Sequence, residues 1–339
     1  MKREEKGNRI ETKDWDDYSY FIREFEVDPS WINDLGHDFL DYRKRWELAS
    51  RQHLFNFPLF LEVEASYACN YECIMCPRRF LNLDERGELS MELFDKLFAE
   101  AKKEKLASIN LSHGGEPLMN KNLPELITKA KEAGILDVMF HTNASLLTKR
   151  KSKQIIENGL TKINFSLDAM TEKTYRKIRR GGNYRLVMRN IADFLKIKEK
   201  NGKSYPRVRM SFVVMDENKL EMEDFFNYWK YKVNMIAFQM KRNYGILSNT
   251  KLKVRDMGFK NKSTICKDPW RLLMISHDGS IMPCLEDYKH EIILGNLKTH
   301  LIKECWKSDT MNYIRRMHLE ENWRNIPLCK KCREEVGLK

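Results

Sequence analysis

The sequence comprises 339 residues, of which 42% are hydrophobic, and it carries a formal charge of +12 at pH 7. This length and hydrophobic content exclude a disordered chain and allow one domain of barrel size with a smaller one beside it. The longest apolar stretches, such as FNFPLFLEV, are shorter than the run of about 20 residues that spans a bilayer. Because 61 basic and 49 acidic residues are spread along the chain, the charge alone does not select a nucleic acid, an acidic ligand or an acidic protein as the partner.

The first 57 residues precede any regular pattern of strands. The segment MKREEKGNRIETKDWDD has neither the apolar core nor the cleavage site of a secretory signal, which predicts a cytoplasmic protein. In that reducing compartment the eight cysteines favour metal binding or redox chemistry over disulfides. The stretch WINDLGHDFLDYRKRWELASRQH indicates a helix. We therefore expect residues 1–57 to form a mostly helical extension that packs against the outside of the next domain or covers its mouth.

Residues 58–250 alternate apolar, β-branched segments with longer amphipathic ones, a pattern typical of repeated βα units around a parallel sheet. Between the strands lie helical stretches, one with Ser90 as a plausible N-cap and another with Gly134 as a plausible terminator. Six units predict an α/β fold, a partial (β/α)6 TIM-like barrel. In such sheets the functional groups gather at the carboxyl ends of the strands. The predicted strands are 59–66, 108–112, 137–141, 162–167, 207–214 and 234–240.

Three cysteines, Cys69, Cys73 and Cys76, follow the first predicted strand in the segment CNYECIMC. A structural zinc site usually takes four protein ligands, and this loop offers three. A four-iron cluster held by three thiolates leaves one iron open to a small chelating molecule. The C-x3-C-x2-C spacing at this position resembles the radical S-adenosylmethionine (SAM) superfamily, in which SAM chelates that open iron.

Further motifs at the strand ends extend the resemblance to this superfamily. The segment HGGEP places Gly114, Gly115 and Glu116 where family members contact the methionine amino group of SAM. Asn143, in HTNASLL, resembles the polar residue that faces the ribose. The remaining SAM contacts that the resemblance implies are Ser166, Asp168 and Arg179, with Arg180 as the alternative partner of the methionine carboxylate. The sequence departs from the family at Met75, where members often carry an aromatic residue near adenine.

Four other cysteines, Cys266, Cys284, Cys329 and Cys332, lie beyond the predicted barrel, in residues 251–339. The HDG turn between two apolar runs predicts a hairpin that brings the first two of them together. From the spacing alone, four thiolates suit structural zinc and an iron–sulfur cluster equally. The region resembles the SPASM/twitch extension of radical SAM enzymes, which implies one auxiliary [4Fe–4S] cluster in a small hairpin-and-helix domain. We expect Cys305 to be a core residue.

The resemblance implies an enzyme that cleaves SAM to a 5′-deoxyadenosyl radical and removes a hydrogen atom from its substrate. An auxiliary cluster whose four irons are all ligated suits electron transfer, which favours oxidation of a hydroxyl group in a small sugar- or cyclitol-like substrate. The same layout of cysteines occurs in the dehydrogenases of aminocyclitol synthesis. Modification of a ribosomally made peptide by crosslinking, thioether formation or epimerisation is the alternative. A flavodoxin- or ferredoxin-type electron donor is the implied protein partner.

Other interpretations leave more of the sequence unexplained. A basic, zinc-stabilised protein that binds nucleic acid would account for neither the three-cysteine loop nor HGGEP. His113 and His141 lie at predicted strand ends, where a histidine either binds substrate and transfers a proton or fills space next to SAM. The sequence itself identifies no catalytic base.

Overall fold

The computed structural model describes residues 22–27, 36–81, 87–202, 204–241 and 265–335. Its strands form one open ten-stranded sheet in the order β1-β7-β6-β5-β4-β3-β2-β8-β9-β10. The strands are β1 (Ile22–Glu26), β2 (Phe60–Val63), β3 (Ser108–Asn110), β4 (Asp137–Thr142), β5 (Lys162–Ser166), β6 (Arg207–Val214), β7 (Met235–Met240), β8 (Leu272–Ile275), β9 (Ser280–Met282) and β10 (Gly295–Asn296).

The six strands predicted for the barrel are all present as β2 to β7 and pair in parallel in chain order. The predicted α/β class and the partial barrel are thereby confirmed, and the sheet does not close. The sequence interpretation missed β1, which pairs antiparallel with β7. The predicted boundary between residues 250 and 251 lies outside the described residues.

The helices between these strands begin and end largely where their sequences indicate. The Ser90 hydroxyl accepts a hydrogen bond from Leu93 N at the start of α2, as predicted for an N-cap. Gly134, just beyond α3, has a left-handed φ of 82° that favours glycine. The described helices are α1 (Gly36–Ser50), α2 (Met91–Glu104), α3 (Leu123–Glu132), α4 (Lys149–Glu157), α5 (Glu172–Ile178), α6 (Tyr184–Lys200), α7 (Met222–Trp229), α8 (Ile302–Trp306), α9 (Asp309–Leu319) and α10 (Pro327–Glu335).

Helix α1 packs at the amino ends of the strands, opposite the cysteine loop. Its buried aromatic side chains, among them Trp46, contact Phe60 at the start of β2 and Leu272 at the start of β8. The Arg207 guanidinium, at the start of β6, lies 5.3 Å from the ring centroid of Phe39. Within the described residues of this segment, α1 does not cover the mouth of the barrel, because its aromatic face is matched by apolar residues at the other end of the sheet. The alternative, that the segment packs against the outside of the barrel, stays a prediction.

The two faces of the barrel strands differ in composition, because successive side chains of a strand point to opposite sides. One face carries apolar residues that pack with the helices in the main core, including Leu61, Ile109 and Ile163. The other face carries polar side chains at the alternate positions, including Glu62 and Asn110. This second face lines the inside of the barrel, where the candidate site lies.

Strands β8 and β9 form the predicted hairpin around the turn at Asp278 and Gly279, which confirms that prediction. Strand β8 pairs in parallel with β2, so the hairpin belongs to the same sheet as the barrel. Glycine is required at position 279, where φ is 90° and a Cβ atom would lie 2.9 Å from Asn296 Oδ1. The predicted hairpin-and-helix region is therefore joined to the barrel by backbone hydrogen bonds.

Candidate functional site

The three-cysteine loop lies at the carboxyl end of β2 and is held by the segment that follows α5. The backbone N–H groups of Glu72 and Ile74 donate to the carbonyl oxygens of Arg180 and Ile178, at 3.0 Å each. Burial raises the pKa of all three thiols, and for Cys73 to about 12. The charges of Cys76 and Cys69 contribute to the raised pKa of Cys73, so the three sulfur atoms are electrostatic neighbours.

Arg179 connects this loop to the carboxyl end of β5. Its Nη1 lies 3.7 Å from the Cys73 sulfur, and its Nε donates to Asp168 Oδ2 at 2.7 Å. Asp168 is fully buried, and its Oδ1 accepts a hydrogen bond of 2.7 Å from Val213 N. Asp168 thus orients Arg179 towards Cys73, and direct contact of either residue with SAM stays a prediction.

The glycine pair after β3 lies against the backbone of the cysteine loop. A Cβ atom at Gly115 would overlap the Ser66 carbonyl oxygen and lie 2.6 Å from that of Ala68. The Glu116 N–H donates to the same Ala68 carbonyl at 2.8 Å. Glycine is therefore required at position 115 because two loops meet there, a cause that differs from the close approach to a ligand that the sequence suggested.

Glu116 joins the β3 and β4 loops. Its buried carboxylate accepts hydrogen bonds from Thr142 Oγ1 at 2.6 Å, from Asn143 N at 2.8 Å and from Leu118 N at 3.2 Å. Asn143 Nδ2 in turn donates to Asn70 Oδ1 in the cysteine loop at 3.0 Å. The predicted SAM contacts Glu116 and Asn143 are thus brought together beside the cysteines, while Ser166 ends β5 and is half-buried.

Glu64 connects the barrel to the hairpin, and the sequence interpretation missed it. Its Oε1 accepts from Gly114 N at 2.9 Å, and its Oε2 lies 2.9 Å from His277 Nδ1 and 3.1 Å from Ser276 Oγ, both in the hairpin turn. The His277 ring stacks on Tyr67, with ring centroids 4.3 Å apart. Burial opposes ionisation of Glu64, but the hydrogen bonds from His277 and the charge of His113 outweigh it and hold the pKa of Glu64 below its usual value.

The four C-terminal cysteines gather at one place from three parts of the chain. Cys266 precedes β8, Cys284 follows β9, and Cys329 and Cys332 lie in α10. Burial raises the pKa of Cys284 well above its usual value, and the charges of Cys332 and Cys266 add to this rise. Burial, together with the charge of Cys332, likewise raises the pKa of Cys329 to about 12.

Cys305 lies in the core, as expected, with 1% of its surface exposed. Within the described ranges, no three His, Cys, Asp or Glu side chains converge closely enough to hold a single metal ion. A cubane binds each thiolate at a different iron, so its ligands do not have to meet at one point. Iron deprotonates the thiols it binds, which offsets the cost of burying their charges. Both sets of cysteines therefore have donor chemistry that fits an iron–sulfur cluster.

A cavity of about 140 Å³ lies inside the barrel, beside these loops. Leu285 and Glu286, which follow Cys284 directly, form part of its wall. The Glu286 N–H donates to the Cys284 sulfur at 3.3 Å. The other lining residues come from the inner face of the strands and are Phe60, Glu62, Asn110, Met139, His141, Lys162, Arg209 and Gln239.

The sequence does contain a signal for this cavity, namely polar residues at alternate positions of apolar strands. The strand LEVEAS carries Glu62 and Glu64 at alternate positions between apolar residues, and KINFS carries Lys162 and Asn164 in the same way. A charged side chain inside an otherwise apolar strand of a covered sheet is costly unless it is paired or functional. Such positions mark the inside of the barrel.

The chain carries a radical SAM domain, since residues 63–228 match the model of the radical SAM superfamily. An iron-sulfur cluster-binding domain, SPASM, matches residues 266–333. The first domain implies the use of SAM and a [4Fe–4S] cluster, and the second implies an auxiliary iron–sulfur site. None of the helices in the described part of the chain is both long and apolar enough to cross a membrane.

Two curated relatives illustrate the range of similarity. A probable GTP 3′,8-cyclase of Methanococcus maripaludis (strain C5 / ATCC BAA-1333) is 32% identical over 149 residues, which are 44% of this chain and 47% of that protein. The chain thus spans about half the length of that relative. The S-adenosyl-L-methionine-dependent 2-deoxy-scyllo-inosamine dehydrogenase of Niallia circulans is 24% identical over 280 residues, which are 80% of this chain and 91% of that protein.

Two solved structures share the fold. The crystal structure of BtrN in complex with AdoMet and 2-DOIA covers 82% of this chain and 93% of its own, with a TM-score of 0.54 and 20% identity. Streptococcus suis SuiB bound to the precursor peptide SuiA covers 82% of this chain and 70% of its own, with a TM-score of 0.57 and 17% identity. At these identities the likeness extends to the fold alone.

Proposed function

We propose that the protein oxidises a hydroxyl-bearing carbon of a small polar ring, of the cyclitol or amino-sugar kind, to a carbonyl. The observation that carries this proposal is the cavity inside the barrel, with polar strand residues on one side and Leu285 and Glu286 on the other. A cavity of about 150 Å³ accommodates one six-membered ring. The cavity here has a volume of about 140 Å³ and directly adjoins Cys284, so a bound ring would lie beside the auxiliary site.

In this proposal each set of cysteines holds a different iron–sulfur cluster. Cys69, Cys73 and Cys76 hold the cluster that binds SAM, and Cys266, Cys284, Cys329 and Cys332 hold one auxiliary [4Fe–4S] cluster. When bound, SAM on the first cluster would supply the radical that removes a hydrogen atom, and the auxiliary cluster would accept an electron. The residues proposed to hold SAM are Gly114, Gly115, Glu116, Asn143, Ser166, Asp168 and Arg179.

The chain's own residues position the substrate and exclude water. Lys162 and Arg209 supply cationic donors to hydroxyl oxygens, and Glu62 supplies an acceptor for a hydroxyl or amino group. Arg209 is itself held by Glu24 of β1, with Nε 2.6 Å from Oε1. The strand that the sequence interpretation missed thus positions one of the proposed substrate contacts.

Peptide modification is the second candidate, and the fold likeness to SuiB favours it. A peptide segment needs an open groove for its backbone, whereas this cavity has the volume of one ring. The cavity therefore supports the small-molecule proposal over the peptide one.

The test begins with anaerobic purification, reconstitution and measurement of iron, sulfide and zinc per chain. Two four-iron clusters give about eight irons and eight sulfides. The loaded enzyme is then incubated with SAM, a reductant and a panel of inositols, inosamines and amino sugars, and mass spectrometry detects products that have lost two hydrogen atoms. About four irons with one zinc, or no such product together with modification of a co-encoded peptide, would contradict the proposal. A flavodoxin- or ferredoxin-type protein is the proposed physiological reductant.

A further inference from the structure

Glu62 is the carboxylate of β2 that faces the cavity, and 10% of its side chain is exposed. Its Oε1 accepts from Asn110 Nδ2 at 2.8 Å and lies 3.7 Å from His113 Nδ1. No residue in the described ranges donates to its Oε2. The lone pairs of Oε2 are therefore available to accept a hydrogen bond or a proton from a group bound in the cavity.

The other titratable groups that line the cavity are less suited to accept a proton. Burial and the positive charges of Arg209 and Lys162 together lower the pKa of His141 to about 3, so His141 stays neutral. Lysine and arginine side chains are donors when charged and have no free acceptor. Glu286 is the other carboxylate of the lining, and it lies two residues from Cys284, one of the proposed cluster ligands. Glu62 is the carboxylate that the barrel strands themselves supply to the lining.

His113 supports Glu62 from the end of β3. Its side chain is 7% exposed and stacks on the ring of Tyr288, with ring centroids 4.8 Å apart. Its buried Nε2 has no hydrogen-bond partner in the described part of the chain. The Nδ1 atom faces the Glu62 carboxylate at 3.7 Å, beyond hydrogen-bond distance, so the two groups interact as neighbouring charges whose titrations are coupled.

The surrounding groups shift the pKa values of both Glu62 and His113. Burial raises the pKa of Glu62, and His113 and Asn110 oppose the rise. Burial lowers the pKa of His113, but the carboxylates of Glu62, Glu64 and Glu286 raise it above its usual value overall. His141 is the other titratable group coupled to His113. A carboxyl group whose pKa is moved towards neutrality is an effective general base.

We propose that Glu62 is the catalytic base, which receives the hydroxyl proton of the substrate through Oε2, with His113 as its positioning partner. After a hydrogen atom has left the carbon, the O–H bond breaks, its proton goes to Glu62 and its electron pair stays on oxygen. One electron then leaves for the auxiliary iron–sulfur cluster, which is reduced, and the carbon–oxygen double bond forms. This inference rests on the dehydrogenase function proposed above.

The test compares wild type with Glu62→Gln, which keeps the size of the side chain but cannot accept the proton. The loaded full-length enzymes receive SAM and either 2-deoxy-scyllo-inosamine or scyllo-inositol, with deuterium on the hydroxyl-bearing carbons. Deuterium in 5′-deoxyadenosine measures hydrogen abstraction, and ketone per 5′-deoxyadenosine measures the later proton and electron loss. We expect Glu62→Gln to retain deuterium transfer while this ratio falls by about 100-fold or more. Glu92→Gln, on an exposed face of α2, is the matched control.

The outcomes separate the two proposals. An unchanged ratio in Glu62→Gln with normal deuterium transfer would overturn the role of Glu62 and leave the dehydrogenase function standing. No deuterium transfer from either probe in wild type would overturn both. A second measurement needs no turnover: the infrared carbonyl band of a protonated carboxyl group, present in wild type and missing in Glu62→Gln, should titrate above the usual value of 4.5. Titration at or below that value would also contradict the assignment.

Discussion

Removal of the Glu64 carboxylate should loosen the barrel and the hairpin together. In Glu64→Ala the N–H groups of Gly114 and His277 lose their shared acceptor, from which they lie 2.9 and 3.2 Å. A buried N–H left without a partner costs about 1–3 kcal/mol, so the two together lower the free energy of unfolding by about 2–6 kcal/mol. Glu64→Gln keeps one acceptor oxygen and should cost less.

Urea unfolding and SAM binding of the cluster-loaded enzyme measure this effect. Because Gly114 lies in the loop proposed to hold SAM, we expect weaker SAM binding in Glu64→Ala in addition to the lower unfolding midpoint. Glu92→Ala is the control, since 78% of its side chain is exposed and such substitutions change stability by about 0.5 kcal/mol or less. A change in Glu64→Ala no larger than in this control would show that the carboxylate does not hold the loops together.

Three further substitutions test other parts of the structure. Gly115→Ala places a methyl group against the Ser66 carbonyl, so we expect a loss of about 1–3 kcal/mol and weaker SAM binding; an unaltered SAM dissociation constant would refute the tight packing of the two loops. Cys329→Ala should lower the iron content by about four atoms per chain while SAM cleavage continues, and full iron content would rule Cys329 out as a ligand. Trp46→Ala, at a residue 2% exposed, should lower the free energy of unfolding by about 3–5 kcal/mol, whereas Leu48→Ala on the same helix, 46% exposed, should have little effect. Equal effects of these two would show that α1 does not stabilise the barrel.

The parallel strands were predictable from the sequence because their signals are local. Runs such as RVRMSFVV are apolar, β-branched and bounded by turns, and each occupies a covered position in the sheet. The hairpin was predictable for the same reason, since His277, Asp278 and Gly279 form its turn between two apolar runs. Strand β1 was not predictable in this way, because three of the five residues Ile22–Glu26 are charged and the segment acquires strand structure by pairing with β7.

The residues of the candidate site were likewise predictable only where a local motif contains them. Cysteine spacing and HGGEP are contiguous motifs, so the residues around the cysteine loop could be named from the sequence. The alternate charged positions of LEVEAS mark the inward side of β2, but the roles of Glu62 and Glu64 also depend on what the hairpin and the neighbouring strands bring to them, and no local motif contains that. The same limit applies to Gly115. Glycine is required there because of the carbonyl groups of Ser66 and Ala68, and Ala68 lies 47 positions earlier in the chain.

Because β8 pairs in parallel with β2, the hairpin cannot simply be replaced by the corresponding region of another protein. All four residues of β2 are buried, and β8 satisfies one side of their backbone while β3 satisfies the other. A chain cut before residue 265 would turn β2 into an exposed edge strand, and such unprotected edges pair with other molecules and aggregate. Chimeras that replace the C-terminal region of this enzyme with that of a relative therefore have to carry over a strand complementary to Phe60–Val63 as well as the cysteines.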